Sequence, residues 1–475
     1  MASLDTLAFD NTFQRLPEQF YSRVLPQAVR NPRLVGFNSG AAALIDLDSD
    51  EAQNDALVDY FSGKSFLPGS DPVATAYAGH QFGSYMPQLG DGRALLIGEV
   101  RNRDGNKWDL VLKGAGPTPY ARMGDGRAGL SSTIREYLAG EALAGLGIPG
   151  SRALCIIGSD QPIMRSQPES AALLARLAPS HIRFGHFQYC RYGLGECELK
   201  MFADYVLQQH LPHLLEQQQP YLALFEHTVM ATAKLIAQWM AVGFVHGVMN
   251  TDNMSILGLT LDYGTNAFLQ AYDPEFVANQ ADDEGRYAFK LQPWTGYRNL
   301  QHLAIAMLPL AEPQALKEIL GRYEQCYQES YGQLMCDKLG LANTQESRQL
   351  LTELLQFMQQ HAVDYTNFFR RLCVYQPGDD NTPLHAMFGN CDDINAWLNR
   401  YRRLLSKRKT DLAAVQKGMK KVNPKYILRN YQVETAIHKA RQGDCSELDR
   451  LLAFIQSPCE EMPEYEDYAV AEARQ

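Results

Sequence analysis

His246-Gly247-Val248-Met249-Asn250-Thr251-Asp252-Asn253, followed by Leu261-Asp262-Tyr263-Gly264, decides how the rest of the chain is read. Chemistry on the phosphates of ATP needs oxygen ligands that hold a divalent cation against them, and a base beside the attacking hydroxyl. Asp252 and Asn253 in a loop, then a strand expected over Ser255 to Leu261 that ends in Asp262-Tyr263-Gly264, supply three such oxygen donors at a hairpin-like separation. Taken alone, the segment also fits a polar loop followed by a turn.

The pairing resembles the catalytic loop and the Asp-Phe-Gly metal site of protein kinases. Asp252 and Asn253 are adjacent here, where a kinase spaces the two residues five apart, and this argues against an ordinary protein kinase. Upstream, Leu95-Leu96-Ile97-Gly98-Glu99-Val100 and Trp108-Asp109-Leu110-Val111-Leu112-Lys113 flank the turn Asn102-Arg103-Asp104-Gly105-Asn106, which predicts a β-hairpin. Lys113 at the end of that hairpin can reach phosphate oxygens if a helical carboxylate orients it. Glu136 is the candidate, on a helix expected to start at a Ser132 or Thr133 cap and to stop near Gly145 or Gly147. An edge-strand lysine in solvent is the commoner fate of such a residue, so the pair gains force only beside Asp252, Asn253 and Asp262.

Two copies of one tetrapeptide flank Lys113: Gly90-Asp91-Gly92-Arg93 and Gly124-Asp125-Gly126-Arg127. Glycines let backbone N–H groups approach an anion, and arginines offer forked donors to phosphate, although a single Gly-Asp-Gly is usually only a turn. Arg176-Leu177-Ala178-Pro179-Ser180-His181-Ile182-Arg183-Phe184-Gly185-His186 reads first as a triphosphate clamp, second as solvated surface and last as a metal site. Neither a P-loop nor a Gly-x-Gly-x-x-Gly grip before Lys113 is present in the sequence.

The apolar spacing of Leu222, Phe225, Val229, Ile236, Trp239 and Met240 predicts a helix stopped by Gly243, and helical periodicity continues over roughly 300–372. Gln376 to Pro383 is a turn-rich break. Arg400, Arg402, Arg403, Lys407, Arg408, Lys409, Lys417, Lys420 and Lys421 then mark a basic helical region, read as a solvated face before a dock for acidic substrates. The expected fold is α+β: a protein-kinase-like, two-lobed arrangement with a β-rich N-lobe over 1–190, a helical C-lobe over 191–375, and a helical extension with an acidic tail over 376–475.

Composition sets the outer limits. The 475 residues carry 44 basic and 54 acidic side chains, a formal charge of −10, which argues against nucleic acid as the main partner. The nine cysteines form no Cys-x-x-Cys pair and read as free thiols in a reducing compartment. The first residues lack the basic start and apolar block of a signal peptide, and apolar runs are too short for a membrane span, so a cytoplasmic protein without membrane partners is expected.

Several stretches together resemble the selenoprotein O family of pseudokinase-like protein adenylyltransferases. They are AYAGHQFG with QLGDGRA (76–94), LVLKGAGPTPYAR (110–122), GDGRA with IREYL (124–138), SHIRFGHF (180–187), FVHGVMNTDNMSILGLTLDYG (244–264) and NPKYILRNY (423–431). The resemblance implies ATP bound end for end relative to kinases, with Mg²⁺ or Mn²⁺, and AMP passed to Ser, Thr or Tyr hydroxyls of proteins as pyrophosphate leaves. By motif position it implies Asp252 as proton acceptor and Asn253 and Asp262 as metal ligands. It also places Gly90, Gly92, Arg93, Lys113, Asp125, Gly126, Arg176 and Arg183 along the nucleotide, with Glu136 orienting Lys113.

The chain departs from the family pattern at Thr265-Asn266, where Pro and an aromatic are usual, at Ser131, where Arg is common, and at Met86-Pro87. Ala278 stands where some bacterial members have a cysteine, and the final residues hold no cysteine or selenocysteine, so redox control through those positions is not expected. Two other readings stay open at this stage: γ-phosphoryl transfer by the same ligands, and an inactive nucleotide-binding scaffold.

Overall fold

The alternation of apolar residues through 94–113 folds as a hairpin, and the pleat of that hairpin determines where the site can form. In the computed structural model, which describes residues 1–165, 167–376, 382–389, 392–408 and 411–470, twelve strands and six α-helices precede residue 270 among the described residues. The strands are β1 (Tyr21–Arg23), β2 (Arg33–Phe37), β3 (Val73–Thr75), β4 (Gly79–Gln81), β5 (Ser84–Met86), β6 (Ala94–Arg101), β7 (Lys107–Lys113), β8 (Ala128–Gly129), β9 (Arg152–Met164), β10 (Pro168–Ala178), β11 (Phe244–Val245) and β12 (Ala267–Phe268). Among them is an antiparallel sheet in the order β1-β3-β6-β7-β10-β9-β2, with β8 on β10.

Successive side chains of a strand point to opposite faces. Leu95, Ile97, Leu110, Leu112, Leu173 and Ala175 pack in one core, and Ala94, Leu96, Val111, Ala172 and Leu174 pack in the other. The first core is closed by α1 (Ser39–Ala43), α2 (Asp55–Phe61) and the N-terminal segment; the second lies under α3 (Leu130–Gly145). By the same parity Lys113 follows Val111 and Arg176 follows Leu174, so both basic side chains emerge on the α3 face. Lys113 pairs with Leu174, and Arg176 with Val111, in the β7–β10 register.

The start of α3 differs from expectation. Gly129 is its cap residue, and the Ser132 and Thr133 hydroxyls donate back to the Gly129 carbonyl at 3.0 and 2.8 Å. Hydroxyls that bond a carbonyl three or four residues back belong to the first turn of a helix, not to its cap.

Most of the remaining chain is helical. The elements are α4 (Phe184–Tyr189), α5 (Glu196–His210), α6 (Pro220–Val242), α7 (Gln292–Met307), α8 (Pro313–Gly321), α9 (Tyr323–Lys338), α10 (Gln345–Gln360), α11 (Tyr365–Leu372), α12 (Thr382–Met387), α13 (Asp392–Ser406), α14 (Leu412–Val422), α15 (Asn430–Arg441) and α16 (Ser446–Ile455). Gly243 ends α6 at φ 73°, the left-handed stop read from sequence. The sheet part and the helical part together make the class α+β.

Over 255–261 the predicted strand is absent. Met254 and Thr260 bridge each other across a tight turn, Arg183 bridges Ser255, and Gly150 bridges Thr260. The short ladder that frames this loop is instead β11 with β12. Residues 377–381 of the expected break, Lys409 of the basic region and the last five residues of the chain lie outside the described residues.

The helices after α14 turn back onto the sheet part. Arg441 donates to the Ser131 hydroxyl at 2.8 Å, and Gln456 donates to Glu141 at 2.9 Å. They therefore brace α3, the helix that carries Glu136. No helix among the described residues is long and apolar enough to cross a membrane.

Candidate active site

A cavity of about 820 Å³ opens between the α3 face of the sheet and the 246–265 segment. It is lined by Gly90, Gly92, Arg93, Lys113, Asp125, Gly126, Glu136, Arg176, Arg183, Asp252, Asn253 and Asp262, the twelve residues that the family resemblance placed at the nucleotide, the metal and the proton acceptor.

Its floor is an ion cluster. Lys113 Nζ lies 2.5 Å from Glu136 Oε2 and 3.3 Å from Asp262 Oδ1. Arg176 Nη1 lies 2.6 Å from both Glu136 Oε1 and Asp262 Oδ1, and Arg183 pairs with Asp262 Oδ2. Three cations are thus ion-paired with two carboxylates, and both arginines are 2% exposed. Burial pushes the Asp262 carboxyl upward, but Arg176, Arg183 and Lys113 outweigh it and hold the group well below the usual carboxylate range. The same balance lowers Glu136, with Lys113 and Arg176 opposing its burial. Asp262 sits at φ 53°, a left-handed backbone that turns its carboxylate into the cluster.

Asp252 is placed by the opposite wall. Gln81 Nε2 donates to its Oδ2 at 2.9 Å, and Oδ1 is buried without a hydrogen-bond partner. Gly79 allows this approach, since a Cβ there would lie 2.7 Å from Asp252 Oδ1. Burial raises the Asp252 carboxyl; the Gln81 amide and the Arg183 charge pull it back. Arg183 Nη1 also donates to the Asp252 carbonyl at 2.7 Å. Asn253 Nδ2 donates to the Val248 carbonyl at 3.0 Å, which leaves its amide oxygen for another partner. Behind the loop His246 is fully buried and its Nε2 meets the Leu261 carbonyl at 2.9 Å, tying the two halves of the segment together.

The glycine tetrapeptides turn out to differ. Asp91 accepts from Thr75 N and Oγ1 at 3.0 and 2.6 Å, which holds Gly90 and Gly92 against the cavity and leaves Arg93 exposed at its edge. Asp125 is paired with Arg165 at 2.8 Å. Arg127, read as a phosphate donor, is instead buried and bonds the Gln27, Gly114 and Ala28 carbonyls, so its role is to fasten the loop.

The two histidines of the proposed clamp also need correcting. His181 is tied to Asp109 through its backbone N–H at 2.7 Å, and His186 accepts from Arg183 N at 3.0 Å while its ring stacks on Phe202. Both rings lie behind the arginines and outside the lining of the cavity. Residue spacing could not show this, because His181 precedes the short helix α4 and His186 lies within it, and each ring is placed by partners distant in sequence, Asp109 and Phe202.

Sequence reasoning passed over Gln81, Tyr77 and Asn250. The Arg183 guanidinium lies 5.2 Å from the centre of the Tyr77 ring, and Asn250 accepts from Phe82 N at 3.2 Å and Tyr287 Oη at 2.5 Å. AYAGHQFG contained two of the three, but nothing in its composition reveals that it meets the 250–253 loop.

A family model described as "Protein adenylyltransferase SelO" matches residues 3–456. The chain belongs to the SelO family. It is 50% identical over 471 residues to a protein nucleotidyltransferase YdiU of Pseudomonas fluorescens, covering 99% of this chain and 97% of the relative. Comparable relatives of the same description come from Thioalkalivibrio sulfidiphilus (49% identical) and Myxococcus xanthus (48%), with the same coverage. SelO-family membership makes the chain a nucleotidyltransferase of the protein-adenylylating type.

Proposed function

We propose that this chain transfers AMP from ATP to Ser, Thr or Tyr hydroxyls of proteins in a kinase-like cleft, with the β and γ phosphates held deepest. The observation that carries the reading is the cluster of buried cations at the cavity floor: Lys113, Arg176 and Arg183, fixed by Glu136 and Asp262. Guanidinium and ammonium donors held in one place match the oxygens of a pyrophosphate group. Donors already fixed in position cost no reorganisation when negative charge grows on the leaving group.

In this reading Asp252 accepts the proton of the attacking hydroxyl, while Gln81 fixes its carboxylate through Oδ2. Glu136 orients Lys113. Gly90, Gly92, Arg93, Asp125 and Gly126 border the remainder of the nucleotide, with Arg93 exposed to meet it. The donor set fits Mg²⁺ or Mn²⁺: the amide oxygen of Asn253 and the carboxylate of Asp262 are hard ligands, and such ions take few protein ligands beside substrate phosphates. When bound, the ion would neutralise phosphate charge and polarise the α phosphate. Asp262 would share its carboxylate between that ion and Arg176 and Arg183, whose remaining guanidinium donors would serve the phosphates.

The division into parts at 1–190, 191–375 and 376–475, and a cytoplasmic location, belong to the same proposal. ATP labelled separately at the α and γ phosphates tests it. Label on protein from the α position is expected; label from γ alone points to a kinase, and label from neither to a scaffold. Because the relatives are described by the broader term nucleotidyltransferase, α-labelled UTP with Mn²⁺ is a useful parallel arm.

A further inference from the structure

The hairpin of β4 and β5 turns through Phe82 and Gly83, with Gln81 paired to Ser84. Both turn residues have positive φ, 49° and 84°. That is the sign pattern of a type I′ turn, which favours Asn-Gly or Asp-Gly. A bulky aromatic is an outlier in this region of φ. Phe82 does not occupy it in order to fill the core, since it is 39% exposed. Strain of this kind gathers where a side chain is needed for what it contacts.

The neighbours of Phe82 show what that contact is. The residue before it, Gln81, holds Asp252, and its own N–H donates to Asn250 Oδ1 at 3.2 Å. Its ring meets Tyr287 edge to face at 5.4 Å, and Tyr287 Oη donates to the same Asn250 oxygen at 2.5 Å. The hairpin is further locked to the base loop. His80 N donates to Thr251 Oγ1 at 2.7 Å, Thr251 donates to Gln188 at 2.7 Å, and the Gln188 amide lies 2.9 Å from His80 Nδ1. Gln81 lines the cavity, but Phe82 and Tyr287 stand outside it. Phe82 stands at its rim on the side of Asp252, with the buried Tyr287 ring behind it, where a polypeptide too large for the cavity has to lie if its hydroxyl is to reach that carboxylate.

We infer that the exposed part of the Phe82 ring, backed by the buried Tyr287, forms an apolar shelf that receives an apolar side chain flanking the acceptor hydroxyl of a protein substrate. The inference rests on the adenylyl-transfer reading and deepens it by assigning a preference among acceptors. Phe82 is a specificity-determining residue in this account; the base and the nucleotide ligands are unaffected by its replacement.

The test uses the full chain, α-labelled ATP and short synthetic peptides with one central serine, flanked by either leucine or glycine. The wild type is expected to label the leucine-flanked peptide with a kcat/KM about tenfold higher. Phe82→Asn puts a favoured residue into the turn, so its thermal unfolding temperature should stay level or rise. The same variant should lose the preference between peptides while the KM for ATP holds. Labelling by the wild type with the preference intact in Phe82→Asn overturns the shelf alone, as does a wild type that labels both peptides equally. Absence of α-derived label in the wild type, on peptides and on itself, overturns the transfer reading and the shelf with it.

Discussion

Asp262 is the residue on which most of the site's charge converges, and its replacement should reveal two effects at once. Asp262→Asn leaves Lys113, Arg176 and Arg183 facing Glu136 alone. Removing one partner from a buried ion cluster is strongly destabilising, here about 3 kcal/mol because Asp262 retains some exposure. We expect α-phosphate transfer to fall by at least about a hundredfold, and urea unfolding to shift to lower denaturant. ATP should restore more stability to the variant than to the wild type, since its phosphates supply the missing negative charge. Near-normal label incorporation would remove Asp262 from the site. Arg183→Ala separates binding from chemistry: ATP should still bind measurably, and kcat for α transfer should drop by a large factor, because an arginine that meets charge growing on pyrophosphate acts mainly in the transition state. Full activity in that variant would take Arg183 out of the mechanism. The residues that could be found from sequence were those whose type carries the chemistry, such as Asp252, Asp262 and Lys113. Gln81 and Tyr77 escaped because their importance lies in what they touch, 171 residues away for Gln81 and Asp252.

At the level of elements, the β6–β7 hairpin and the α6 stop at Gly243 were legible because each is set by local pattern: period-two alternation in one, a left-handed glycine in the other. The strand expected over 255–261 was not, since its apolar residues serve a tight turn held by long-range bridges to Gly150 and Arg183. The return of α15 and α16 onto α3 was equally invisible, being tertiary. That return yields a prediction in which two local effects oppose one another. Gly145→Ala at the end of α3 should gain up to about 1 kcal/mol from helix propensity. A Cβ at 145, however, would lie 2.1 Å from the Ile455 carbonyl oxygen and 3.0 Å from Pro458. Backbone cannot move aside cheaply, and overpacking costs about 1–3 kcal/mol, so the clash should win. We expect a lower thermal unfolding temperature together with reduced transfer, as α3 shifts and carries Glu136 from Lys113. A variant as stable as the wild type would show that the brace between α3 and α16 is soft.

On the scale of the whole molecule, an acidic chain encloses a cationic cavity and keeps several titratable groups behind it away from water. His186 is held neutral by burial, its pKa brought down to about 3, and His246 likewise to about 4; His181 is pushed well below the usual range, first by burial and then by Arg176 and Arg183. A histidine whose folded pKa lies below its unfolded value near 6.5 stabilises the fold above that value, and the contribution is lost as pH falls toward the folded pKa. Asp109 acts in the other sense. Burial raises it to about 7, so it favours the folded state at low pH and loses that effect as pH rises through its folded pKa. Between about pH 4 and pH 6 the unfolded chain therefore takes up three protons on these histidines while the folded chain keeps one on Asp109. His210 and His302, held down to about 3 and about 4 by burial, act in the same sense, and each net proton is worth about 1.4 kcal/mol per pH unit. We predict that the midpoint of urea unfolding falls steeply from pH 6 to pH 5 and changes little between pH 7 and pH 8. His186→Phe, which keeps a ring beside Phe202, should flatten the acid limb by about one proton's worth. A midpoint that is level across pH 7 to pH 5 in the wild type would mean that these rings are open to solvent, and would take with it the view that the arginine wall is backed by a sealed, neutral interior.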